Sequence, residues 1–529
     1  MPLLNISPLQ FTLTLSKYSG NCILPFVHLR QRNRKFLPPI DDSLLLLPLH
    51  ELAERIREQR VTSVAVVVAY IARILQVDPI LKAVMDERFA AAIEEARTAD
   101  RMCQTLDRET LKKNFPLLGV PFTVKESIGV HGMSQSVGVL SRKNVKCRKE
   151  GLAIQNLRAA GAIPLCVTNV PEWCLSWETQ NKIVGRTVNP YNTVRSPGGS
   201  SGGEAALIAS AASLFGIGTD FIGSCRLPAM FCGVFGHRPS RPLISLTGPT
   251  LLFPDKAAQE ILTFGPMTRY AKDLPIVLEV MCGTENAKLL KLHEEVNFEK
   301  IKVLYCTQFS KSSEDLNFDP EVLESLKNAR NAFSNAGADI EEADLCFDGM
   351  FETLFSHIMG IDNSTMIEKS EIPQGACFKE YVKWACRKSN HTLFAINSQF
   401  FLRNERLYPK DKKKVYEKRL ECLKNEIENF LKPNTILVLP TFPTAAYRHF
   451  SSTTSTAALQ FVLLASVFNL PATSIPMGLN KKGLPIGIQV IAGRFQDRLC
   501  FAAAKLLEER FGGWQPPSMV LEKEKLGKS

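Results

Sequence analysis

Two glycine-framed serine loops flank one apolar segment near the middle of the chain, and this tandem constrains the fold more than any other feature of the sequence. The first loop spans residues 196–203 (SPGGSSGG), the second spans residues 218–228 (GTDFIGSCRLP), and residues 204–215 lie between them. Glycine has no Cβ, so a backbone or a substrate can approach the neighbouring hydroxyls closely. Asp220 and Arg226 add opposite charges to the second loop. We interpret the two loops as the core of an active site.

Short apolar runs and helical patterns alternate on both sides of this core. Residues 117–124 and 163–167 are predicted to be buried strands, and residues 153–160 and 204–215 are predicted to be helices. Such alternation is typical of an α/β fold with a largely buried sheet. No repeat, low-complexity linker or sharp change in composition divides the 529 residues, which favours one large domain.

Lys125 directly follows the first of these predicted strands. Burial disfavours the charged ammonium, so a lysine at a buried strand end can have a lowered pKa and serve as a base. The alternative is a lysine that leaves the core and extends its ammonium into water. Taken alone, Lys125 fits the second interpretation better.

Composition bears on the partners and on the cellular compartment. The formal net charge is +11, but the lysines and arginines are dispersed and no recognition motif organises them, so we expect no nucleic-acid partner. The 14 cysteines lack CxxC pairs and regular spacing. This pattern indicates mostly buried thiols in a reducing compartment rather than a disulfide framework.

The two ends of the chain are predicted to lie outside the domain. We divide the sequence into an N-terminal extension at 1–43, a domain at 44–516 and a C-terminal tail at 517–529. Residues 1–40 hold five basic residues and no acidic one. This composition is compatible with a mitochondrial presequence, an interfacial membrane anchor or a disordered extension, and all three stay open. We expect an intracellular location, either cytoplasmic or peripherally membrane-associated.

The first serine loop fits some kinds of chemistry better than others. It is not a phosphate-binding loop, since the spacing to a Gly-Lys-Ser/Thr is absent. Residues 198–202 satisfy the G-x-S-x-G pattern of a nucleophile elbow, but that elbow requires a strand immediately before it, and residues 192–197 are typical of a loop. The eight histidines offer no obvious general base. A serine nucleophile with a lysine base is the remaining coherent chemistry.

Three parts of the sequence together resemble the amidase signature family. They are Lys125, residues 199–203 (GSSGG) and residues 224–228 (SCRLP), and the spacings of 75 residues from Lys125 to Ser200 and 24 residues from Ser200 to Ser224 also match. The resemblance covers roughly residues 49–514. Its closest likeness is to the fatty-acid amide hydrolase type 2 branch, through the segments NKIVGR at 181–186, GHRPS at 236–240 and FGGW at 511–514.

The resemblance implies a Ser–Ser–Lys triad that needs neither metal nor cofactor. Ser224 would be the nucleophile, Ser200, preceded by a cis peptide bond, would relay the proton, and Lys125 would be the base. Backbone N–H groups would form the oxyanion hole, namely those of Phe221, Ile222, Gly223 and Ser224. The supporting residues would be Ser201 near Lys125, and Asp220 paired with Arg226. The implied fold is a single large α/β domain with a central mixed, mostly buried β-sheet covered by helices on both faces.

Two positions depart from the family pattern Asp-x-Gly-Gly-Ser-aliphatic-Arg. Ile222 stands where the family has a glycine, and Cys225 stands where it has an aliphatic residue. A β-branched residue resists a positive φ angle. If the glycine is needed for the backbone conformation, we therefore expect a strained or displaced oxyanion loop.

The sequence thus favours a serine amidohydrolase that cleaves N-acyl amides, fatty-acid amides in particular, to a carboxylic acid and an amine through an acyl-enzyme. One alternative is an amidotransferase-type glutamine amidase subunit. Another is a catalytically weakened, ligand-binding homologue, because of Ile222 and Cys225. The expected partner is a small hydrophobic amide. A peripheral membrane contact and a homodimer stay open.

Overall fold

In the computed structural model, which describes residues 34–246, 256–306, 317–343, 350–359, 371–373, 375–403, 413–452 and 458–521, 11 strands form one sheet. In chain order the strands are β1 Val84–Glu87, β2 Pro121–Lys125, β3 Ile163–Thr168, β4 Phe215–Asp220, β5 Phe235–Arg238, β6 Thr263–Thr268, β7 Lys302–Tyr305, β8 Asp339–Glu342, β9 Thr435–Pro440, β10 Ala472–Leu479 and β11 Pro485–Ala492. Their order across the sheet is β1-β3-β2-β4-β6-β5-β10-β11-β9-β7-β8.

The sheet is mixed, as predicted. β2 pairs in parallel with β3 and β4, and β7 pairs in parallel with β8 and β9. The other neighbouring strands are antiparallel. Since β2, β3 and β4 run in the same direction, their carboxyl ends lie at one edge, where α/β proteins place their ligand sites.

Helices cover both faces of this sheet. Along β9, Ile436 and Val438 belong to one apolar core, whereas the alternating residues Leu437 and Leu439 belong to another, so each face is packed. In the described ranges the α-helices are α1 Leu49–Arg57, α2 Ser63–Leu81, α3 Phe89–Thr105, α4 Arg108–Asn114, α5 Leu152–Ala159, α6 Gly202–Ala209, α7 Arg226–Cys232, α8 Lys256–Ile261, α9 Asp273–Cys282, α10 Thr284–Lys288, α11 Pro320–Asn335, α12 Met350–Met359, α13 Cys377–Ala385, α14 Leu393–Arg403, α15 Lys413–Phe430, α16 Gln460–Val467 and α17 Asp497–Phe511. The predicted single α/β domain is confirmed.

The apolar segment between the serine loops contains a shorter helix than predicted. α6 ends at Ala209, and β4 begins at Phe215. Between them Ala211 adopts a left-handed φ of 60°, and the N–H of Ala212 donates to the carbonyl of Leu207 at 2.9 Å. The predicted helix over 204–215 is therefore too long. Residues 202–220 are all buried, so no alternation of buried and exposed positions marks the change from helix to strand in the sequence.

Residues near the two ends of the described chain pair with each other. The N–H of Ile40 donates to the carbonyl of Met519, and the N–H of Leu521 donates to the carbonyl of Ile40, both at 2.8 Å. Ile40 is also buried in the main apolar core. The division into an extension, a domain at 44–516 and a tail stays a prediction.

The predicted N-terminal targeting or anchoring segment lies mostly outside the described residues, since residues 1–33 are not among them. Of the helices that the structure describes, α2 alone is long and apolar enough to cross a membrane by length and composition. Half of that stretch is buried inside the domain. Core helices of soluble proteins meet the same criterion, so α2 is weak evidence for a membrane span.

Candidate active site

Lys125 is the last residue of β2, and its side chain is fully buried. Its Nζ lies 2.6 Å from Ser200 Oγ and 2.6 Å from Thr219 Oγ1. Burial lowers the pKa of Lys125 below its ordinary value of 10.5, although nearby acidic groups, Asp220 among them, oppose the shift. A neutral amine in hydrogen-bond contact with a serine hydroxyl can act as its base.

Ser200 lies in the first glycine loop, where neighbouring chain segments leave no room for side chains. The Gly199–Ser200 peptide bond is cis, as the resemblance implied. A Cβ on Gly199 would lie 2.5 Å from the carbonyl oxygen of Ser176. Gly198 has a φ of +83°, and a Cβ there would lie 2.8 Å from Pro228 Cα. Both glycines are therefore required by the packing of this loop.

Ser201 connects the two serine loops. Its N–H donates to the carbonyl of Ser224 at 3.2 Å, and its hydroxyl donates to the carbonyl of Thr219 at 3.5 Å. Ser224 itself precedes α7 and is buried. The structure therefore brings Ser200 into direct contact with Lys125 and joins the Ser224 loop to the Ser200 loop through the backbone. Ser201 is linked to Lys125 through Thr219.

Asp220 is held by two buried arginines. Arg226 Nε and Nη2 donate to the two carboxylate oxygens of Asp220 at 3.0 and 3.1 Å. Arg238 Nη1 donates to the backbone carbonyl of Asp220 at 2.6 Å. Burial alone would raise the pKa of Asp220, but the guanidinium groups outweigh this effect and hold its pKa below the usual 3.8. The expected pairing of Asp220 with Arg226 is present, and Arg238 adds a second cation.

Asp220 also shapes the predicted oxyanion loop. Its Oδ1 accepts the N–H of Gly223 at 2.9 Å, and its Oδ2 accepts the N–H of Cys225 at 3.2 Å. The N–H of Gly223 therefore already has an acceptor. The N–H groups of Ile222 and Ser224 make no hydrogen bond within the part of the chain that the structure describes. The oxyanion role stays a prediction, and among these three N–H groups those of Ile222 and Ser224 fit it best.

The replacement of a family glycine by Ile222 does not strain this loop. The left-handed conformation falls on Gly223, at φ +87°, and Ile222 is not among the residues with positive φ. A Cβ on Gly223 would lie 2.7 Å from the side chain of Val462. The glycine that the loop needs is therefore kept. Trp177 Nε1 donates to the carbonyl of Ile222 at 3.4 Å and helps to hold its backbone.

An apolar core lies against the same loop. Phe221 and Ile222 are half-buried and pack against a cluster that includes Trp173, Leu354 and Val462. Phe221 and Ile222, which stand three and two residues before Ser224, therefore form an apolar wall at the edge of this core. Such a wall suits a hydrophobic part of a substrate better than a charged one.

Nothing in the described ranges is arranged to bind a metal ion, since no three His, Cys, Asp or Glu side chains form a suitable group there. Two cysteines lie near Lys125. Burial raises the pKa of Cys174 to about 11 and raises that of Cys225 as well. Both side chains are therefore thiols at neutral pH.

No sequence pattern indicates the roles of Thr219, Trp177 and Arg238 in this site. Thr219 belongs to the second glycine loop, but only the pairing of β2 with β4 shows that its hydroxyl reaches Lys125. Trp177 carries no motif signal, and Arg238 belongs to the GHRPS segment at 236–240 without any sign of its contact with Asp220. Contacts of this kind depend on tertiary packing.

Comparisons with known proteins show the family of the chain. The model of the family described as Amidase matches residues 65–501. The chain is 35% identical over 503 residues to fatty-acid amide hydrolase 2-A of Danio rerio, an alignment that covers 91% of this chain and 92% of that protein. It is 25% identical to one of the subunits of the glutamyl-tRNA(Gln) amidotransferase of Caldanaerobacter subterraneus subsp. tengcongensis, with 88% of this chain and 97% of that protein covered.

A solved structure supports the fold independently. A structure titled fatty acid amide hydrolase superposes with a TM-score of 0.70 at 20% sequence identity, covering 90% of this chain and 87% of that chain. At this identity the likeness concerns the fold alone.

We predict that Arg226→Met lowers the free energy of unfolding by about 3–5 kcal/mol, because it removes the bidentate partner of a buried carboxylate. As a control, Arg97→Met removes an exposed ion pair with Glu94 and should change the free energy of unfolding by less than about 1 kcal/mol. Equilibrium urea unfolding measures both. Equally small effects would show that Asp220 does not depend on Arg226.

Proposed function

Since this chain belongs to the amidase family and is an amide-hydrolysing enzyme, we propose that it is a serine hydrolase of N-acyl amides and that fatty-acid amides are its substrates. The proposed triad is Ser224, Ser200 and Lys125. The observation that carries the proposal is the 2.6 Å contact between Lys125 Nζ and Ser200 Oγ in a buried site. This contact gives a serine hydroxyl a base whose pKa is lowered by burial.

The proposed reaction starts with Lys125 as a neutral amine. Lys125 takes the proton of Ser200 while Ser200 takes that of Ser224, whose Oγ attacks the carbonyl carbon. Loop N–H groups stabilise the negative carbonyl oxygen. The Lys125 ammonium then returns its proton through Ser200 to the leaving nitrogen, so the C–N bond breaks and the amine departs. Water, activated by the same relay, hydrolyses the remaining acyl ester on Ser224 to the carboxylic acid.

Two observations support a fatty acyl group as the acid part of the substrate. The half-buried side chains of Phe221 and Ile222 form an apolar wall shortly before the proposed nucleophile in the chain. The 35% identity to a fatty-acid amide hydrolase over most of both chains exceeds the 25% identity to the amidotransferase protein. Glutamine is polar and would gain little from an apolar wall, so the amidotransferase alternative is less favoured.

The alternative of a weakened homologue rests on Ile222 and Cys225. Ile222 does not occupy a left-handed conformation. Cys225 is fully buried, and a Cβ on Gly218 would lie 2.7 Å from its Sγ. The absence of a side chain at Gly218 therefore leaves room for the Cys225 thiol. The contact between Lys125 and Ser200 is intact with both residues present. These observations favour an active enzyme.

We predict that Ser224→Ala lowers kcat by at least about 10³-fold, because it removes the nucleophile. Hydrolysis of a long-chain primary fatty-acid amide and of acetamide measures the activity, and the wild type should prefer the long chain. Ser210→Ala is the control, since Ser210 is a buried serine that directly follows the last residue of α6 and whose hydroxyl donates to the carbonyl of Leu207. Unchanged hydrolysis by Ser224→Ala would exclude this nucleophile, and a preference for acetamide would exclude the fatty acyl assignment.

The rate of amide hydrolysis is predicted to rise with pH as Lys125 loses its proton. Since burial lowers the pKa of Lys125, the plateau should be reached below pH 10.5. On the acid side kcat/KM should fall about tenfold per pH unit, because the ammonium cannot accept a proton from Ser200. Lys125→Arg should abolish activity throughout, since a guanidinium stays protonated. Exposed Lys112→Arg is the control. A wild-type profile in Lys125→Arg would remove Lys125 from the mechanism.

A basic amphipathic helix supports a peripheral membrane contact as part of the proposal. On α13, Phe378 and Val382 are 79% and 50% exposed and lie four residues apart, hence on one face. Lys379 is exposed on the same helix, and Arg387 and Lys388 are exposed shortly after its last residue, Ala385. Exposed apolar side chains flanked by basic ones bind anionic lipid surfaces. This surface would let the enzyme take a hydrophobic amide from a membrane.

We predict that the double variant Phe378→Ser/Val382→Ser weakens binding to phosphatidylserine-containing vesicles by about tenfold or more, since it removes two apolar side chains. Vesicle co-sedimentation measures the bound fraction. The control is Leu75→Ser, which removes a leucine that is 61% exposed on α2 and should leave binding unchanged. If the wild type does not sediment, or if the double variant sediments equally well, this surface does not bind membranes.

A further inference from the structure

We propose that Glu204 works as a protonated, uncharged acid that positions Lys125 and spares it a neighbouring negative charge. The inference rests on the proposed function, in which Lys125 must be a neutral amine. Glu204 does not contact the reacting atoms. It acts through the strand that carries Lys125 and through the electrostatic environment of the ammonium.

Glu204 connects the helix after the Ser200 loop to two strands of the sheet. It lies in the first turn of α6 and is fully buried. Its Oε1 is hydrogen-bonded with Thr123 Oγ1, on β2 two residues before Lys125, and its Oε2 accepts the hydroxyl of Thr168 at 2.7 Å. Thr168 is the register partner of Lys125 on β3. The carboxyl group thus fixes the end of β2 relative to α6.

Counting protons along this network shows which form of Glu204 fits. Three contacts run in a chain: the carbonyl of Phe215 to Ser213 Oγ at 2.8 Å, Ser213 Oγ to Thr123 Oγ1 at 2.8 Å, and Thr123 Oγ1 to Glu204 Oε1. Three hydrogen bonds need three protons. The two hydroxyls supply one each, and the carbonyl supplies none. The third proton must come from the carboxyl group of Glu204.

The direction of each bond follows from this count. Ser213 donates to the carbonyl of Phe215, Thr123 donates to Ser213, and Glu204 donates to Thr123. The remaining carboxyl oxygen accepts from Thr168. A Cβ on Gly216 would overlap Glu204 Oε1, so the glycine opens the space that the carboxyl group occupies.

The surroundings agree with an uncharged Glu204. Burial raises the pKa of Glu204 to about 8, although its threonine partners and Lys125 oppose the shift. The second carboxyl group that acts on Lys125 is that of Asp220, which is paired with Arg226. The titratable thiols that face this pair from neighbouring segments are those of Cys166, Cys174 and Cys225, and burial raises the pKa of each. An ionised Glu204 would be the one unpaired anion beside Lys125 in this described cluster and would stabilise the ammonium.

The first test compares two substitutions of Glu204. Glu204→Ala removes the link between α6 and β2 and should lower kcat by at least about tenfold. Glu204→Gln should restore most of that activity, because its amide N–H can donate to Thr123 while its amide oxygen accepts from Thr168. The acid limb of the pH profile in Glu204→Gln should coincide with that of the wild type. A displacement of this limb to lower pH by about one unit or more would show that Glu204 is normally ionised and would overturn the proposal.

Glu126 provides a matched control. It is equally buried, but its two carboxylate oxygens accept backbone N–H groups, those of Ser136 and Val137. Glu126→Gln would aim an amide N–H at one of these donors and should lower the Tm by several degrees. Glu204→Gln faces only hydroxyls and should not. An equal loss of Tm in both variants would contradict an uncharged Glu204.

The protonation of Glu204 can also be measured without any substrate. Infrared difference spectroscopy of the wild type against Glu204→Gln at pH 7 should show the carbonyl stretch of a protonated carboxylic acid. A carboxylate signal in its place would overturn the inference whether or not the enzyme hydrolyses amides. A protonated signal in a protein that hydrolyses no amide would support the state of Glu204 and count against the proposed function instead.

Discussion

The burial of one lysine amine at the carboxyl end of β2 is the constraint on which the rest of the site depends. A buried ammonium is costly unless it is paired, so its surroundings decide whether it is charged. The oxygens at 2.6 Å from Lys125 belong to the hydroxyls of Ser200 and Thr219. Hydroxyls both donate and accept, so they can bond to a neutral amine and also pass on a proton. Carboxylates in the same places would have fixed the lysine as a cation.

A separate set of contacts compensates the charge of Asp220, a buried anion that acts on Lys125. The negative charge of Asp220 favours the ammonium form of Lys125 and so opposes the lowering of its pKa. The carboxylate of Asp220, however, accepts hydrogen bonds from Arg226 and from the N–H groups of Gly223 and Cys225. Arg238 adds a second guanidinium nearby. The charge of this carboxylate is therefore balanced by the arginines rather than by Lys125. Its oxygens also fix the backbone of the loop that leads to Ser224.

The alternation of apolar runs and helical patterns predicted one large α/β domain, whereas the mixed sheet and the roles of Lys125, Ser200 and Ser224 were implied by the resemblance to the amidase signature family. The contact between Lys125 and Ser200 fits that prediction. The roles of Thr219 and Glu204 could not be predicted, because they depend on the register of β2 against β3 and β4. A shift of one residue would turn Thr123, Thr168 and Thr219, the strand residues that bond to Glu204 or Lys125, to the opposite face. The local sequence pattern does not determine the register of β2 against β3 and β4, just as it does not show where α6 ends.

The departure at Ile222 shows that the energetic cost of replacing a family glycine cannot be read from the sequence alone. Its cost depends on the φ angle of that position, and in this loop the positive φ belongs to Gly223, where Val462 also leaves no space for a Cβ. At Ile222 the backbone is held by Trp177, and the side chain joins the apolar core. Ile222 is therefore accommodated without a positive φ angle. Its side chain contributes to the apolar wall that it forms with Phe221.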